Sequence, residues 1–284
     1  ALSTQDDTLI KDGLLAFASL VKWVDPSIFF QSDILNQLCS TFLPNPDYST
    51  DMLRILSGVI SSNFIPEEFY PQLGVVFEVI MTNLKPILEE LGNDVVQNIP
   101  IRTLLANTLT SFLSNYQEVV ETEQYAQPLL LLNEWLVTLT RLIPEDDISP
   151  LFEYWKTLCQ RIHYEKNDPQ SPLNALYHDM LPSLRRAMLH RIPSPFEFRE
   201  NEGDDGIVVR RVYFLTHFGD LFYTAKSVMA VLTNLDSQDT VAALTEILNE
   251  VQSSGYSSID LINSLNWGFG SIVGALNELN DRLF

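Results

Sequence analysis

The chain has 284 residues, 46% of them apolar, and 17 basic residues stand against 37 acidic ones for a formal net charge of −20. That apolar share supplies a substantial core and excludes global disorder. A field of that sign repels phosphate backbones and suits a basic protein partner, so direct nucleic-acid binding is not expected.

The opening ALSTQDDTLIKDG carries no apolar signal-peptide core, and no run of about 18 apolar residues follows, so no membrane partner is expected. In DDTLIKDGLLAFASLVKWV, apolar residues fall at Leu9, Ile10, Leu14, Phe17, Leu20, Val21 and Val24. Those intervals of three and four predict a helix with one buried face. Asp25-Pro26 stops it, because the residue before proline is pushed out of helical geometry. A shorter helix is predicted over 32–42, closed by Leu43-Pro44-Asn45-Pro46. The next pair covers 47–64 and 67–91, with Pro66 and Pro71 in or before its first turns and Pro86 as a candidate kink.

Further helices are predicted over 94–120, 121–143, 145–164 and, beyond the loop NDPQSP, 173–192. After a polar insert come helices over 220–234, 237–252 and 257–280. Helix pairs recur at about 40–47 residues, the period of HEAT-type solenoids. The expected fold is therefore all-α, an α-α superhelix of HEAT repeats with one β-hairpin insert. The joints LPNP and NDPQSP are too short for interdomain linkers, so a single array of about six helix pairs is expected over 1–284. A helical pattern still running at Phe284 predicts a segment of something longer.

The residues that carry chemistry elsewhere are thinly spread. His163, His178, His190 and His217 lack metal-ligand spacing, and neither Cys39 nor Cys159 has a second cysteine nearby. Both cysteines sit in apolar helical patterns and are expected to be buried and reduced, which suggests a cytosolic or nuclear compartment. No G-x-S-x-G elbow or cysteine-protease signature appears, so no catalytic residue, metal or cofactor is assigned and the chain is not expected to be an enzyme. An α-helical enzyme with a long-range active site is the contrasting possibility that local motifs do not reach. Gly268, Gly270 and Gly274 superficially spell a nucleotide loop, but no strand precedes them. Gly270 and Gly274, with Ser271 and Ala275, are expected to form a small-residue surface for close helix packing. Trp23, Trp135, Trp155 and Trp267 lie in apolar stripes and are expected to be core anchors.

The insert FEFRENEGDDGIVVRRV resists so plain a description. Two short strands, 196–199 and 207–210, are predicted to flank Asn201 to Gly206, where Asp205-Gly206 tolerates the positive φ of a tight turn. A solvated loop is the simple alternative, and a calcium site in ENEGDD fails on ligand spacing. The segment is too polar for a solenoid core, so it is expected on a surface as a mobile element that contacts a partner.

LFEYWKTLCQRI, FRENEGDDGIVVRRV, VLTNLDSQDTVAALTEIL and INSLNWGFGSIVGAL, in that order, resemble the central part of the exportins of the karyopherin (importin-β) family. These are nuclear export receptors for leucine-rich export signals. More weakly, LLAFASLVKWVDPSIFFQSDILNQLCSTFL resembles an earlier repeat of the same receptors. The resemblance implies a stack of HEAT repeats that binds Ran-GTP together with export cargo, reaches nucleoporins through the full-length receptor, and shuttles between nucleus, nuclear pore and cytoplasm. It makes the insert, 196–212, a regulatory acidic loop crossing the inner face, with Glu200, Asn201, Glu202, Asp204 and Asp205 as its candidate Ran-contact or regulatory residues. The continuation YFLTHFGDLFYTAK departs from that family by being more apolar than the acidic sequence expected there. The family's amino-terminal Ran-binding repeats and its export-signal groove are expected outside this sequence. A HEAT scaffold not linked to Ran shares the periodicity but needs neither the hairpin nor the ordered motifs after it.

Overall fold

The computed structural model describes residues 6–31, 33–62, 65–93, 99–166, 168, 171, 173–202 and 208–275, with backbone alone at 26, 31, 62, 86–87, 89–93, 197–202 and 208–211. They form two compact units, Ala1–Pro150 and Leu151–Phe284.

In the first unit, α1 (Asp7–Leu20) starts where the Asp6 carboxylate accepts from the amides of Thr8 and Leu9. Such a cap satisfies donors that the first helical turn leaves free. A 3₁₀ turn (Val21–Trp23) leads to α2 (Pro26–Gln31), α3 (Ile34–Phe42), α4 (Pro46–Ser62), α5 (Tyr70–Asn93), α6 (Ile99–Val120) and α7 (Ala126–Leu142). Helices α1, α4 and α6 pack in succession, as do α3, α5 and α7, and α3–α4, α5–α6 and α6–α7 contacts join the two rows. That is the double-row stacking of a helical repeat. Phe77 sits at its centre, stacked on Phe112 at 5.5 Å and meeting Tyr125 edge-on at 6.0 Å.

Helix α5 runs from Tyr70 to Asn93, continuing past Pro86. A break falls in α6, at Tyr116 (φ −136°, ψ 23°), whose hydroxyl accepts from the buried amide of Ile65 at 3.3 Å. The structure corrects the expectation for Trp23: it is 87% exposed while Val21 is fully buried. The 3₁₀ turn changes the rotation per residue there, so the apolar stripe of α1 does not extend to Trp23.

The second unit is built from α8 (Ser149–Glu165), α9 (Leu173–Tyr177), α10 (Leu181–Arg191), a β-hairpin, α11 (Thr216–Leu235), α12 (Ser237–Ser253) and α13 (Ile259–Ile272). The single helix expected over 173–192 is two, parted by a turn at 178–180. Pro182 stands in the first turn of α10, where its missing amide costs no helical bond. Helices α10, α11, α12 and α13 pack against one another around Leu184, Met188, Val228, Met229 and Leu232.

Close helix approach also falls elsewhere than expected. A Cβ at Gly268 would lie 3.0 Å from the Cδ2 atoms of both Leu189 and Leu244, whereas one at Gly270 would meet nothing within 4 Å. Gly268 and the buried Ser271 thus make the small-residue face. Gly274, at φ +84°, follows the end of α13 instead of packing within it.

Cys39 and Cys159 are free and buried, as expected. Burial pushes both thiols up to about 12. The thiolate is the reactive form. A thiol reagent at pH 8 should therefore label neither in the folded chain and both in denaturant, read as mass added; native labelling would contradict the packing.

Candidate functional site

The hairpin is built by β1 (Phe196–Glu202) and β2 (Val208–Phe214), paired antiparallel from Phe196↔Phe214 to Glu202↔Val208. The strands are longer than the sequence pattern suggests. Glu200, Asn201 and Glu202, expected in the loop, belong to β1, opposite Arg210, Val209 and Val208 respectively. Asp204 and Asp205 lie outside the described residues. Over 196–214 five carboxylates accompany three arginines, so the ribbon is polar and only mildly acidic.

Its root is apolar and packed. Pro193 and Pro195 are buried and restrict the chain's entry. The Ser194 hydroxyl donates to the Phe196 carbonyl at 2.9 Å, and the Leu215 amide donates to the Pro195 carbonyl at 2.9 Å, closing the ribbon at its base. Phe196 meets Phe214 edge-on at 5.8 Å and stacks on Trp267 at 5.9 Å; Trp267 in turn meets Phe222 at 5.2 Å. Phe214 lies so close over Gly219 that a Cβ there would be 2.3 Å from its ring. The glycine lets β2 pass directly into α11.

Sequence reasoning misses this aromatic root. Its trace is the apolar departure in YFLTHFGDLFYTAK, which supplies Phe214, Gly219 and Phe222. Val212, Tyr213, Phe214 and Tyr223 keep exposed surface beside the hairpin.

A polar lock joins α10 and α12. Arg185, only 1% exposed, pairs with Asp239 and donates to the Leu232 carbonyl at 3.0 Å. Arg186 bridges Asp239 at 3.0 Å and Glu246 at 2.6 Å. Asp236 caps α12 by accepting from the Asp239 amide at 3.0 Å. Burial pulls the Arg185 guanidinium below its ordinary range, opposed by Asp239 and Asp236. The hydrogen bond from Arg186 holds the Glu246 carboxyl below its ordinary value of 4.5. Its contribution is therefore present above 4.5 and lost as pH falls through the lowered value. Glu246→Gln should lower the melting temperature at pH 7, with the difference shrinking below pH 4.5; a pH-independent difference would contradict the assignment.

Among the described residues no three His, Cys, Asp or Glu side chains gather as a metal site would need. Among the described residues, an open cavity of about 610 Å³ between α5 and α7 is lined by Met81, Thr82, Lys85, Pro128, Leu131 and Glu134. No described helix is long and apolar enough to cross a membrane.

The chain is similar over nearly its whole length to exportin-1 proteins. It is 25% identical to exportin-1 of Schizosaccharomyces pombe over 320 aligned positions, covering 99% of this chain and 29% of that protein. It is 26% identical to exportin-1 of Drosophila melanogaster, covering 99% of this chain and 28% of that one. For exportin-1 of Dictyostelium discoideum the identity is 22%, with 98% of this chain and 28% of that one covered. The chain thus spans under a third of the length of these curated relatives. No family model matches it.

Proposed function

We propose that this chain is part of a nuclear export receptor that binds Ran-GTP and leucine-rich export-signal cargo, with the hairpin over 196–212 as its allosteric control element. The observation that carries the proposal is a polar ribbon standing on an aromatic root, in a helical chain similar to exportin-1 proteins along 99% of its length. The receptor shuttles between nucleus, nuclear pore and cytoplasm, and meets nucleoporins through its full length. It performs no catalysis and takes no cofactor; GTP hydrolysis belongs to Ran.

Physically, two ligands that favour the same conformation of a spring-like stack raise each other's affinity by the same factor. A control element shifts that balance only through contacts that differ between the two conformations. The hairpin meets this need: its root is fixed, while Glu200, Asn201, Glu202, Asp204 and Asp205 supply the polar and charged groups for Ran. The net charge of −20 adds long-range attraction toward basic surfaces.

The test is a titration of the full-length protein containing this chain with labelled Ran, loaded with GTP or GDP, at two salt concentrations. Tighter, salt-sensitive binding of the GTP form is expected. Equal affinity for the two forms overturns the proposal.

A further inference from the structure

A two-stranded ribbon is marginal in water on its own, and its backbone bonds serve only its two strands. Here a side chain from a third element reaches it. Trp267, on α13, stacks on Phe196, the first residue of β1, and also meets Phe222 on α11, the helix that β2 enters. Phe196 in turn contacts its register partner Phe214, which lies over Gly219 of α11. The indole therefore touches the first residue of β1 and the helix that β2 enters, and β2 joins the cluster through the Phe196–Phe214 pair.

The indole is well placed to report displacement. It is half-buried, whereas Phe222 is buried and Phe196 and Phe214 are exposed. The aromatic chain thus runs from the packed interior of the unit to the foot of the ribbon. Next to it on α13, Gly268 packs directly against Leu189 of α10 and Leu244 of α12. A tilt of the ribbon moves Phe196 across the indole, and the adjacent Gly268 contact leaves α13 little room to absorb it.

We infer that Trp267 is a positioning residue: it fixes the hairpin's angle and transmits hairpin displacement to α13. The regulatory meaning of that coupling rests on the proposed export-receptor function, but the coupling itself does not.

Hydrogen–deuterium exchange on the full chain, with no partner added, tests it. In Trp267→Ala, amides of β1 and β2 should exchange about tenfold faster, while those of α10 and α12 stay within about twofold of the parent. Trp267→Phe, which keeps an aromatic face, should restore most of the protection. Phe196→Ala removes the same contact from a more exposed position, and should reproduce the hairpin effect even if Trp267→Ala unfolds. Unchanged hairpin exchange in Phe196→Ala, or uniform acceleration across the unit, overturns the inference. Loss of Ran binding alone would instead bear on the proposed function, because this readout contains no Ran.

Discussion

Replacing Trp155 by alanine should destabilise the chain by about 3–5 kcal/mol, while replacing Trp23 by alanine should change stability by less than about 0.5 kcal/mol. Both tryptophans occupy apolar stripes in the sequence, and hydrophobicity alone ranks them equally. Trp155 is 0% exposed in the middle of α8, where truncation leaves a cavity that its neighbours fill only in part. Trp23 is 87% exposed at the end of a 3₁₀ turn and has little buried area to lose. Denaturant titrations of the two variants check the contrast. Similar losses would mean that Trp23 is packed, and would contradict the described end of α1.

Asp239→Ala should cost about 3 kcal/mol, the lower end of the range for breaking a buried ion pair. The loss comes mainly from stranding Arg185, which is 1% exposed and keeps the neutral Leu232 carbonyl as an acceptor in place of a carboxylate. Asp239 is itself 20% exposed, so water can partly replace it and the upper end of the range is not expected. Adding Arg185→Met should recover most of the loss, because an apolar side chain of similar reach carries no charge to desolvate. A double-mutant cycle by urea denaturation measures this. If the double variant is as unstable as the sum of the single ones, the ion pair is not the cause.

The helical architecture is legible in the sequence because apolar spacing is periodic and prolines punctuate it. Asp25-Pro26 and Leu43-Pro44-Asn45-Pro46 mark boundaries that the structure keeps within a few residues. What periodicity does not reach are features set by tertiary contact. Pro86 carries a strong local signal, yet α5 continues through it, while the break at Tyr116 accompanies a hydroxyl reaching Ile65 across the fold. Gly270 and Gly268 look alike in sequence; only packing against Leu189 and Leu244 distinguishes them.

The hairpin is legible in outline because polar residues and Asp205-Gly206 interrupt the helical period. Its strands read too short because Glu200, Asn201 and Glu202 have low strand propensity, and cross-strand pairing overrides that preference. Its root is hidden because Phe196 and Trp267 lie about seventy positions apart, a distance that periodicity cannot bridge.

The most direct test of the hairpin as control element is the coupling factor between Ran-GTP and an export-signal peptide in the full-length protein. It is obtained from peptide affinity with and without saturating Ran-GTP. With Glu200, Glu202, Asp204 and Asp205 changed to their amides and Asn201 to alanine, that factor should change by about fivefold or more, the lower range of typical allosteric coupling. Peptide affinity without Ran is the reference for each protein. An unchanged coupling factor, with Ran-GTP still bound, would contradict a regulatory role for the hairpin.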